Sequence, residues 1–505
     1  MSAQISRDTL GGAAAAGRPL PLSGAYRPRE GIFDEVFAPD GTLRPGYHRI
    51  PEAVLRDAEG LAALQNTAQR MLLQLGVTFN VYQDQVGVER IFPFDVVPRV
   101  IDALTWKNLE AGLIQRVTAL NAFIADVYGD GNILKDCIVP RDLVMECPQY
   151  RRGAVGLKPH RGLFITVAGI DLVRGADGEF YVLEDNVRTP SGVSYVIENR
   201  RMMTRLAPEA VRACGVRSVE RYPADLLASL IELSPADVAR PTVALLTPGP
   251  YNSAFFEHVF LSQQMGIELV EGRDLVCVDH KLWMKTVHGL KQVHVLYRRI
   301  DDDFLDPVVF RTDSLLGVAG LIAAMRAGSV AVGNGIGTGV ADDKAVFAYT
   351  PHMIRYYLGE KPILPIVETY LMRDYDQRAM VLRDLDRYVI KPTGASGGYG
   401  VVIGPKATDR ELAEARARIE ADPAGFIAQP VVTLSTHPTL IADAGSGAPR
   451  LAPRHVDLRP FVLMGTNPRV LAGGLTRVAL REGSLIVNSS QGGGSKDTWV
   501  VDGPC

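Results

Sequence analysis

Three oxygen-bearing side chains in the middle of the chain have the types that suit a hard metal ion: Asp171, Glu184 and Asn186. Two carboxylates and one amide oxygen favour Mg²⁺ over Zn²⁺, because neither His nor Cys takes part. The competing interpretation is an edge hairpin whose acids are simply solvated. Which interpretation holds depends on whether the fold brings the three side chains to one face.

A β-hairpin is predicted to bring them together. Asp177-Gly178 separates two apolar, β-rich runs, and Asp-Gly between such runs is the strongest short signal for a hairpin. With these two residues as the loop, Asp171 pairs with Glu184. Because side chains alternate along a strand, Asn186 then lies on the same face as both acids.

A glycine-rich loop in the last third of the chain is predicted to cover phosphates. Residues 387–392 predict a strand containing Lys391, and the loop Thr-Gly-Ala-Ser-Gly-Gly-Tyr-Gly leads into a second strand at 401–403. Glycine backbone can approach phosphates closely, and a lysine supplies a positive charge. The loop is not a Walker loop, because Gly-Lys-Ser/Thr is absent and a strand follows where a helix should. We therefore predict a flap over phosphates, with a simple hairpin turn as the alternative.

Other basic and polar side chains lie on separate strands and loops around this flap. They are Lys344 after the glycine-rich loop 333–343, Gln429, the pair Asp457 and Arg459 on one face of a strand, Arg477, and Lys496 in the glycine-rich last segment. Lysines and arginines spread in this way suit a polyphosphate clamp. Upstream, Arg298 and Arg299 follow a strand and could grip a carboxylate or phosphate, although a salt bridge with the acids at 301–303 is an equally good interpretation.

Composition narrows the class of protein. The chain has 505 residues, more than one core accommodates, so two to four domains are expected. A net charge of −3 gives no sign of bulk nucleic-acid or membrane binding. The five cysteines are scattered without CxxC spacing, which favours reduced thiols over disulfides or a zinc site. No signal peptide is evident, so we expect a cytoplasmic protein.

The pattern of elements divides the chain into five regions. We predict an extended N-terminal arm over the surface (1–50), a helical region (51–140), a metal-binding part (141–235), an α/β unit (236–335) and a nucleotide-binding part (336–505). In the α/β unit, strands at 243–246 and 268–270 flank a helix at 254–265, and this order predicts a parallel sheet. The loop 247–253 could bind a ligand at the start of that helix, although a purely structural turn is the more favoured interpretation.

Taken together, these segments resemble the circularly permuted ATP-grasp proteins of type 2, relatives of glutathionylspermidine synthase and eukaryotic glutathione synthetase. The resemblance is carried by the flap 391–400, by Gln429, by the strand with Asp457 and Arg459, by Arg477, and by the segment Glu-Asp-Asn-Val-Arg-Thr-Pro at 184–190. In ordinary ATP-grasp proteins the Glu-x-Asn motif follows the lysine and flap, whereas here it precedes them. The match runs from about Tyr26 to Trp499 and implies an α/β fold with a Rossmann-like unit inserted and a helical region at its N-terminus.

This resemblance implies an ATP- and Mg²⁺-dependent carboxylate–amine ligase that forms an amide through an acyl phosphate. It places the metal at the three oxygen ligands, and the nucleotide at Lys344, Lys391, Gln429 and the flap residues Ser396, Gly397 and Gly398. Arg188, Arg298 and Arg477 become candidates for holding the phosphoryl group or the substrate carboxylate. Small-molecule or peptide carboxylates and amines are the expected substrates, and α-helical and transglutaminase-like proteins are expected in the same pathway.

Two departures leave the substrates open. The arginine that usually precedes the first metal-binding acid is missing, because Gly169-Ile170 stands there, and the loops carry no glutathione- or polyamine-binding signature. Two other classes of protein remain: a nucleotide-binding scaffold that has lost turnover, and a phosphotransferase that uses the same clamp. ATP consumption separates the scaffold from the ligase, and the requirement for an amine separates the phosphotransferase.

Overall fold

The computed structural model describes residues 26–44, 46–48, 50, 58–83, 86–394, 400–442, 447–484, 487 and 493–502. Its strands in chain order are β1 (Thr78–Gln83), β2 (Val86–Ile91), β3 (Phe94–Asp102), β4 (Val167–Arg174), β5 (Phe180–Asn186), β6 (Val243–Leu246), β7 (Glu268–Val270), β8 (Leu275–Val278), β9 (Lys281–Thr286), β10 (Gly289–Val293), β11 (Val295–Arg298), β12 (Ala331–Gly333), β13 (Tyr370–Leu371), β14 (Tyr388–Pro392), β15 (Val402–Ile403), β16 (Phe426–Pro430), β17 (Thr436–Ala442), β18 (Pro449–Arg459), β19 (Phe461–Leu463), β20 (Arg469–Val470), β21 (Leu475–Val478) and β22 (Gly494–Val501). Its α-helices are α1 (Ala58–Gln74), α2 (Ala103–Val127), α3 (Asn132–Lys135), α4 (Arg141–Met145), α5 (Val193–Leu206), α6 (Pro208–Ala213), α7 (Tyr222–Ile231), α8 (Phe255–Met265), α9 (Leu321–Arg326), α10 (Lys344–Phe347), α11 (Thr350–Leu358), α12 (Tyr375–Arg383) and α13 (Asp409–Ala421).

A nine-stranded sheet joins the two halves of the chain. Its order is β20-β19-β4-β18-β21-β22-β3, with β5 paired to β4 and β17 paired to β18. The hairpin β4–β5 comes from the first half of the chain, while β18, β21 and β22 come from the last 60 residues. Its strands pair antiparallel except β22 with β3. Side chains from distant parts of the sequence therefore meet on one face.

The long helix α2 covers one side of this sheet, as its apolar repeat predicts. Leu109, Leu113, Leu120 and Ile124 are all buried. The helix begins where the Asp102 side chain accepts hydrogen bonds from the backbone N–H groups of residues 104 and 105. Its polar contribution is Arg116, which binds Asp185 through two hydrogen bonds of 2.7 Å. Asp185 lies between Glu184 and Asn186 in β5, so this ion pair holds the strand on the face opposite those two side chains.

Two smaller sheets complete the frame of the site. The predicted α/β unit contains the parallel sheet β12-β11-β6-β7, with α8 crossing from β6 to β7, so the prediction of a parallel sheet is confirmed. The other sheet, β13-β16-β14-β15, carries Lys391 on β14 and packs against α13 through Ala415 and Ile419. The fivefold division of the chain stays a prediction.

The described part of the predicted N-terminal arm contains several buried side chains, among them Tyr26, Asp34, Glu35 and Phe37. Glu35 accepts hydrogen bonds from Arg99 at 2.5 Å, from Arg174 at 3.0 Å and from Ser435 at 2.7 Å. Ion pairs and a few aromatic side chains therefore attach this described part to the sheet, while its course over the surface stays a prediction.

No helix in the described ranges is long and apolar enough to cross a membrane. The four cysteines in those ranges form no disulfide.

Candidate active site

The hairpin β4–β5 brings the three predicted oxygen ligands to one face, but its loop length and its strand register differ from those expected. Its loop spans residues 175–179, and Gly178 has φ +84°, where a Cβ would lie 2.7 Å from the Phe33 ring. The prediction of a two-residue loop at Asp177-Gly178 is therefore wrong. A bulge at Leu183 shifts the register by one residue, and beyond it Asp171 pairs with Glu184 as expected.

A cavity of about 450 Å³ opens above this face. Asp171, Glu184 and Asn186 line it together with Arg459 of β18 and Arg477 of β21. The opposite side is formed by the loop 188–192, the start of α8, residues 299–304 and Asp342. One cavity thus connects the predicted metal site with the α/β unit.

Asp171 is held by two arginines. Its Oδ1 lies 2.5 Å from Arg459 Nε, and its Oδ2 lies 2.8 Å from both Arg459 Nη2 and Arg477 Nη2. Burial would raise the pKa of Asp171, but these two guanidinium groups overcome that effect and hold the pKa at about 2. Arg477 also binds Asp457, whose pKa burial raises. Asp171 therefore anchors two arginines, and its role as a metal ligand stays a prediction.

Glu184 and Asn186 are the oxygen ligands left for a metal ion. Within the described ranges, no group of three or more His, Cys, Asp or Glu side chains is placed to hold one. The Asn186 Nδ2 atom is buried without a hydrogen-bond partner among the described residues, so no hydrogen bond to Nδ2 opposes the use of the amide oxygen as a ligand. One carboxylate and one amide fit Mg²⁺, which takes few protein ligands and completes its shell with phosphate oxygens and water.

Lys344 and Lys391, both predicted to bind the nucleotide, lie near enough to each other and to Glu184 for their charges to interact. Lys344 Nζ lies 3.7 Å from Glu184 Oε1. Lys391 Nζ donates a hydrogen bond of 2.7 Å to Gln429 Oε1, and Gln429 Nε2 donates one of 2.9 Å to Thr369 Oγ1. Burial lowers the pKa of Lys391 to about 8, and the charge of Lys344 acts in the same direction. Ser396, Gly397 and Gly398 lie outside the described residues.

Arg188 is brought into the cavity, as predicted for a ligand-binding arginine. Its guanidinium lies 3.3 Å from Asp301 Oδ1 and 3.5 Å from Asp342 Oδ2. Asp342 Oδ1 accepts hydrogen bonds from the backbone N–H groups of residues 187 and 188, at 2.6 and 3.2 Å. Burial raises the pKa of Asp342 to about 7, against the effect of the Arg188 charge.

Arg298 is not placed in the cavity, and the alternative interpretation of a salt bridge is the one found. Its side chain is fully buried, lies 2.8 Å from Asp302 Oδ1, and donates to the carbonyl oxygens of residues 300, 334 and 335. These contacts fix the exit of β11 and leave the neighbouring Arg299 to line the cavity. The choice of Arg298 as a ligand-binding residue is therefore corrected to a structural role.

Lys496 is likewise placed away from the nucleotide side. It is fully buried, pairs with Asp95, and donates to the Pro438 carbonyl oxygen at 3.0 Å. Lys496 lies opposite Thr476 in the pairing of β21 with β22, so its side chain and that of Arg477 point to opposite faces. Its predicted role in nucleotide binding is corrected to a buried ion pair.

Three residues that line the cavity, Arg459, Asp342 and Arg299, were not among the site residues that the resemblance implied. Arg459 had a visible signal, because it alternates with Asp457 on one strand face. Asp342 had only a weak one, since Asp343 beside it caps α10 by accepting from the N–H groups of residues 345 and 346. Arg299 could not be separated from Arg298 by sequence, because a strand of unknown register does not tell which of two adjacent side chains faces the ligand.

Known proteins match this chain over most of its length. It is 51% identical over 479 residues to an uncharacterized protein of Synechocystis sp., covering 94% of this chain and 97% of that one. It is 52% identical over 471 residues to an uncharacterized protein of Mycobacterium tuberculosis, covering 93% and 84%. A relative from Frankia casuarinae, provisionally named a glutamate–cysteine ligase, is 43% identical over 93% of this chain, which spans 53% of that protein.

The fold also has a counterpart among solved structures. A glutathione synthetase-like effector from Globodera pallida, solved in its apo form, aligns with a TM-score of 0.57 at 13% identity, covering 88% of this chain and 98% of that one. At that identity the likeness shows the fold alone. A sequence model described as circularly permuted ATP-grasp type 2 matches residues 98–479. The chain belongs to this family of ATP-grasp ligases, the circularly permuted type 2.

Proposed function

We propose that the protein is an ATP- and Mg²⁺-dependent carboxylate–amine ligase that forms an amide bond through an acyl phosphate. The observation that carries this proposal is the arrangement around Glu184: Lys344 lies 3.7 Å from its carboxylate, Lys391 is close enough for the two charges to interact, and Glu184, Arg459 and Arg477 line one cavity. Phosphoryl transfer needs positioning and charge neutralisation more than a nucleophilic side chain, and this arrangement supplies both.

Each group has a part that follows from its position. Lys344 and Lys391 would bind the phosphates of ATP, with Gln429 next to Lys391 at the nucleotide base. Glu184 and Asn186 would hold Mg²⁺, which would neutralise charge on the phosphates. Arg477 and Arg459, oriented by Asp171, would face the γ-phosphoryl group or the carboxylate that receives it. Arg188 and Asp342 would border the space where the amine approaches.

The provisional name of the Frankia relative agrees with an amide-forming reaction. That name applies to a protein about twice as long as the matched part.

Product analysis tests the proposal. The protein is incubated with MgATP, hydroxylamine as a general amine, and a panel of carboxylates, and the products are identified by mass spectrometry. An acyl phosphate gives a hydroxamate together with ADP and phosphate. Glu184→Gln is the inactive reference. Cys137→Ser, which changes an exposed thiol outside the cavity, is the control that should keep activity.

Three other outcomes would contradict it. AMP as the nucleotide product would indicate adenylation. A stable phosphorylated product formed without any amine would indicate a phosphotransferase. MgATP binding without consumption for every carboxylate would favour the scaffold.

A further inference from the structure

One wall of the cavity has no part in the function proposed so far. It is formed by the loop that follows β6 and by the first turn of α8: Asn252, Ser253 and Ala254 line the cavity, and so do His258 and Glu257, whose carboxylate is taken up by the contacts described below. Arg299 completes the wall from the end of β11. We call Asn252, Ser253, His258 and Arg299 the donor wall, for the reason that follows.

His258 presents a hydrogen-bond donor to the cavity. The residue is 1% exposed, and its Nδ1 lies 2.9 Å from Thr247 Oγ1. Thr247 Oγ1 also accepts a hydrogen bond from the Gly249 N–H at 3.1 Å, and the described residues offer its own proton no acceptor other than Nδ1, so this buried hydroxyl is fully satisfied only when it donates to Nδ1. The proton of the neutral imidazole is then on Nε2, for which the described residues offer no partner. Burial, and then the charge of Arg299, lower the pKa of His258 well below its usual value and keep the ring neutral.

The start of α8 adds further donors. The N–H of Ala254 is bound by Asn252 Oδ1 at 2.9 Å, and that of Phe255 by the Asn252 carbonyl oxygen at 3.0 Å. The next two N–H groups of a helix have no acceptor within the helix itself, and the positive end of the helix dipole lies there. With 11 residues, α8 is long enough for this dipole to matter.

Arg299 is held rigidly beside these donors. Its Nη2 lies 3.1 Å from Glu257 Oε1 and its Nη1 donates to the Pro190 carbonyl oxygen at 2.6 Å. The other oxygen of Glu257 accepts from the N–H groups of residues 192 and 194 and from Ser194 Oγ. Glu257 is thus turned to the start of α5. Across the cavity, Asp301 is turned to Arg188.

The balance of charge selects the ligand. A wall of donors does not suit an ammonium group, which has only donors of its own. The charge of Arg299 is matched by Glu257, so the wall offers several N–H and O–H groups but little net positive charge. Such a wall fits a singly charged carboxylate better than a doubly charged phosphate.

We propose that the donor wall binds a second carboxylate of the substrate, one that does not react. This inference rests on the proposed function, in which the reacting carboxylate is placed at the basic side of the cavity that Arg459 and Arg477 line. At least one substrate is then a dicarboxylate, an amino acid or a peptide with a free carboxylate.

Paired substrates test it. ADP release is measured with MgATP and hydroxylamine for a panel of dicarboxylates from malonate to adipate, for amino acids with a side-chain carboxylate, and for the monoamide of each. The diacids are expected to have a KM at least about tenfold lower than their monoamides, the difference expected for hydrogen bonds to a charged group. His258→Phe should remove most of this preference by raising the KM of the diacids more than that of the monoamides, and His288→Phe, at an exposed histidine, should keep the preference.

The outcomes separate the two proposals. Equal KM values for diacids and monoamides, with ADP released, overturn the second-carboxylate site and leave the ligase intact. If no acid supports ADP release, the proposed ligase activity is contradicted. The second-carboxylate site is then tested by measuring the equilibrium binding of the same diacids and monoamides to the protein. Equal affinities, or a preference for the diacid that persists in His258→Phe, would overturn the site. If MgATP does not raise the melting temperature of His258→Phe, we take this variant to be misfolded. Ser253→Ala then replaces it in both measurements.

Discussion

Arg459 binds Asp171, which lies 288 residues earlier in the sequence: its Nε is 2.5 Å from one carboxylate oxygen and its Nη2 is 2.8 Å from the other. The two residues lie on β18 and β4, which are neighbours in the nine-stranded sheet. Arg477 adds a third hydrogen bond to the same carboxylate. Asp171 therefore orients the basic side of the cavity.

This relationship predicts different costs for two acids that the sequence placed in one metal site. Asp171→Ala leaves the largely buried Arg459 without its acid, and loss of one partner from a buried pair costs about 3–5 kcal/mol. Glu184→Ala should cost less than about 1 kcal/mol, because Glu184 is a quarter exposed and its ion pair spans 3.7 Å. Urea unfolding of both variants measures the difference. Equal costs would show that Asp171 is no anchor.

Glu184→Gln should abolish Mg²⁺-dependent ATP turnover while leaving the melting temperature within a few degrees of the wild-type value. The change keeps the volume of the side chain and removes the only charge among the two remaining metal ligands. Asn186→Asp is the matched variant, because it keeps an oxygen at the site and should retain part of the activity. Wild-type turnover in Glu184→Gln would mean that the hairpin acids are structural.

The affinity for MgATP should fall as the pH rises above about 8. The pKa of Lys391 in the free protein is lowered to about 8, and phosphates bind its charged form, so the affinity is highest below that pH and decreases above it. Lys391→Arg should flatten the dependence because the guanidinium stays charged. Titration calorimetry between pH 7 and 9.5 gives the profile. In Lys496→Met, a change at a fully buried ion pair, the pH dependence should remain, and its loss there would contradict the assignment.

Asp342→Asn should change the pH dependence of folding stability. Because burial raises the folded-state pKa of Asp342 to about 7, above its unfolded value, its protonated form contributes stability at low pH, and this contribution is lost as the pH rises through about 7. The wild type should therefore lose stability relative to Asp342→Asn between pH 5 and 8, by a few kcal/mol at most. Guanidinium unfolding at both pH values measures this. Parallel curves for the two proteins would show that Asp342 is ionised throughout.

The local patterns were sufficient where short-range chemistry decides the structure. The strands and the helix around α8 and the strands at either side of the flap lie close to their predicted bounds. These elements depend on hydrophobic periodicity and on turn residues, which are written in neighbouring positions. The family followed from the same segments, and it is confirmed by the match over residues 98–479.

The roles of individual charged residues were decided by the tertiary structure. Arg298 and Arg299 are adjacent in sequence, yet one is buried against Asp302 and backbone carbonyls while the other lines the cavity. Lys391 and Lys496 both stand in strands beside glycine-rich segments, yet only Lys391 lies near Glu184. A charge acts on whatever the fold brings within a few ångströms of it, and those partners come from strands hundreds of residues away. The sequence by itself determined the chemistry available to this protein, and the packing of its sheets decided which charges face a ligand and which hold the structure together.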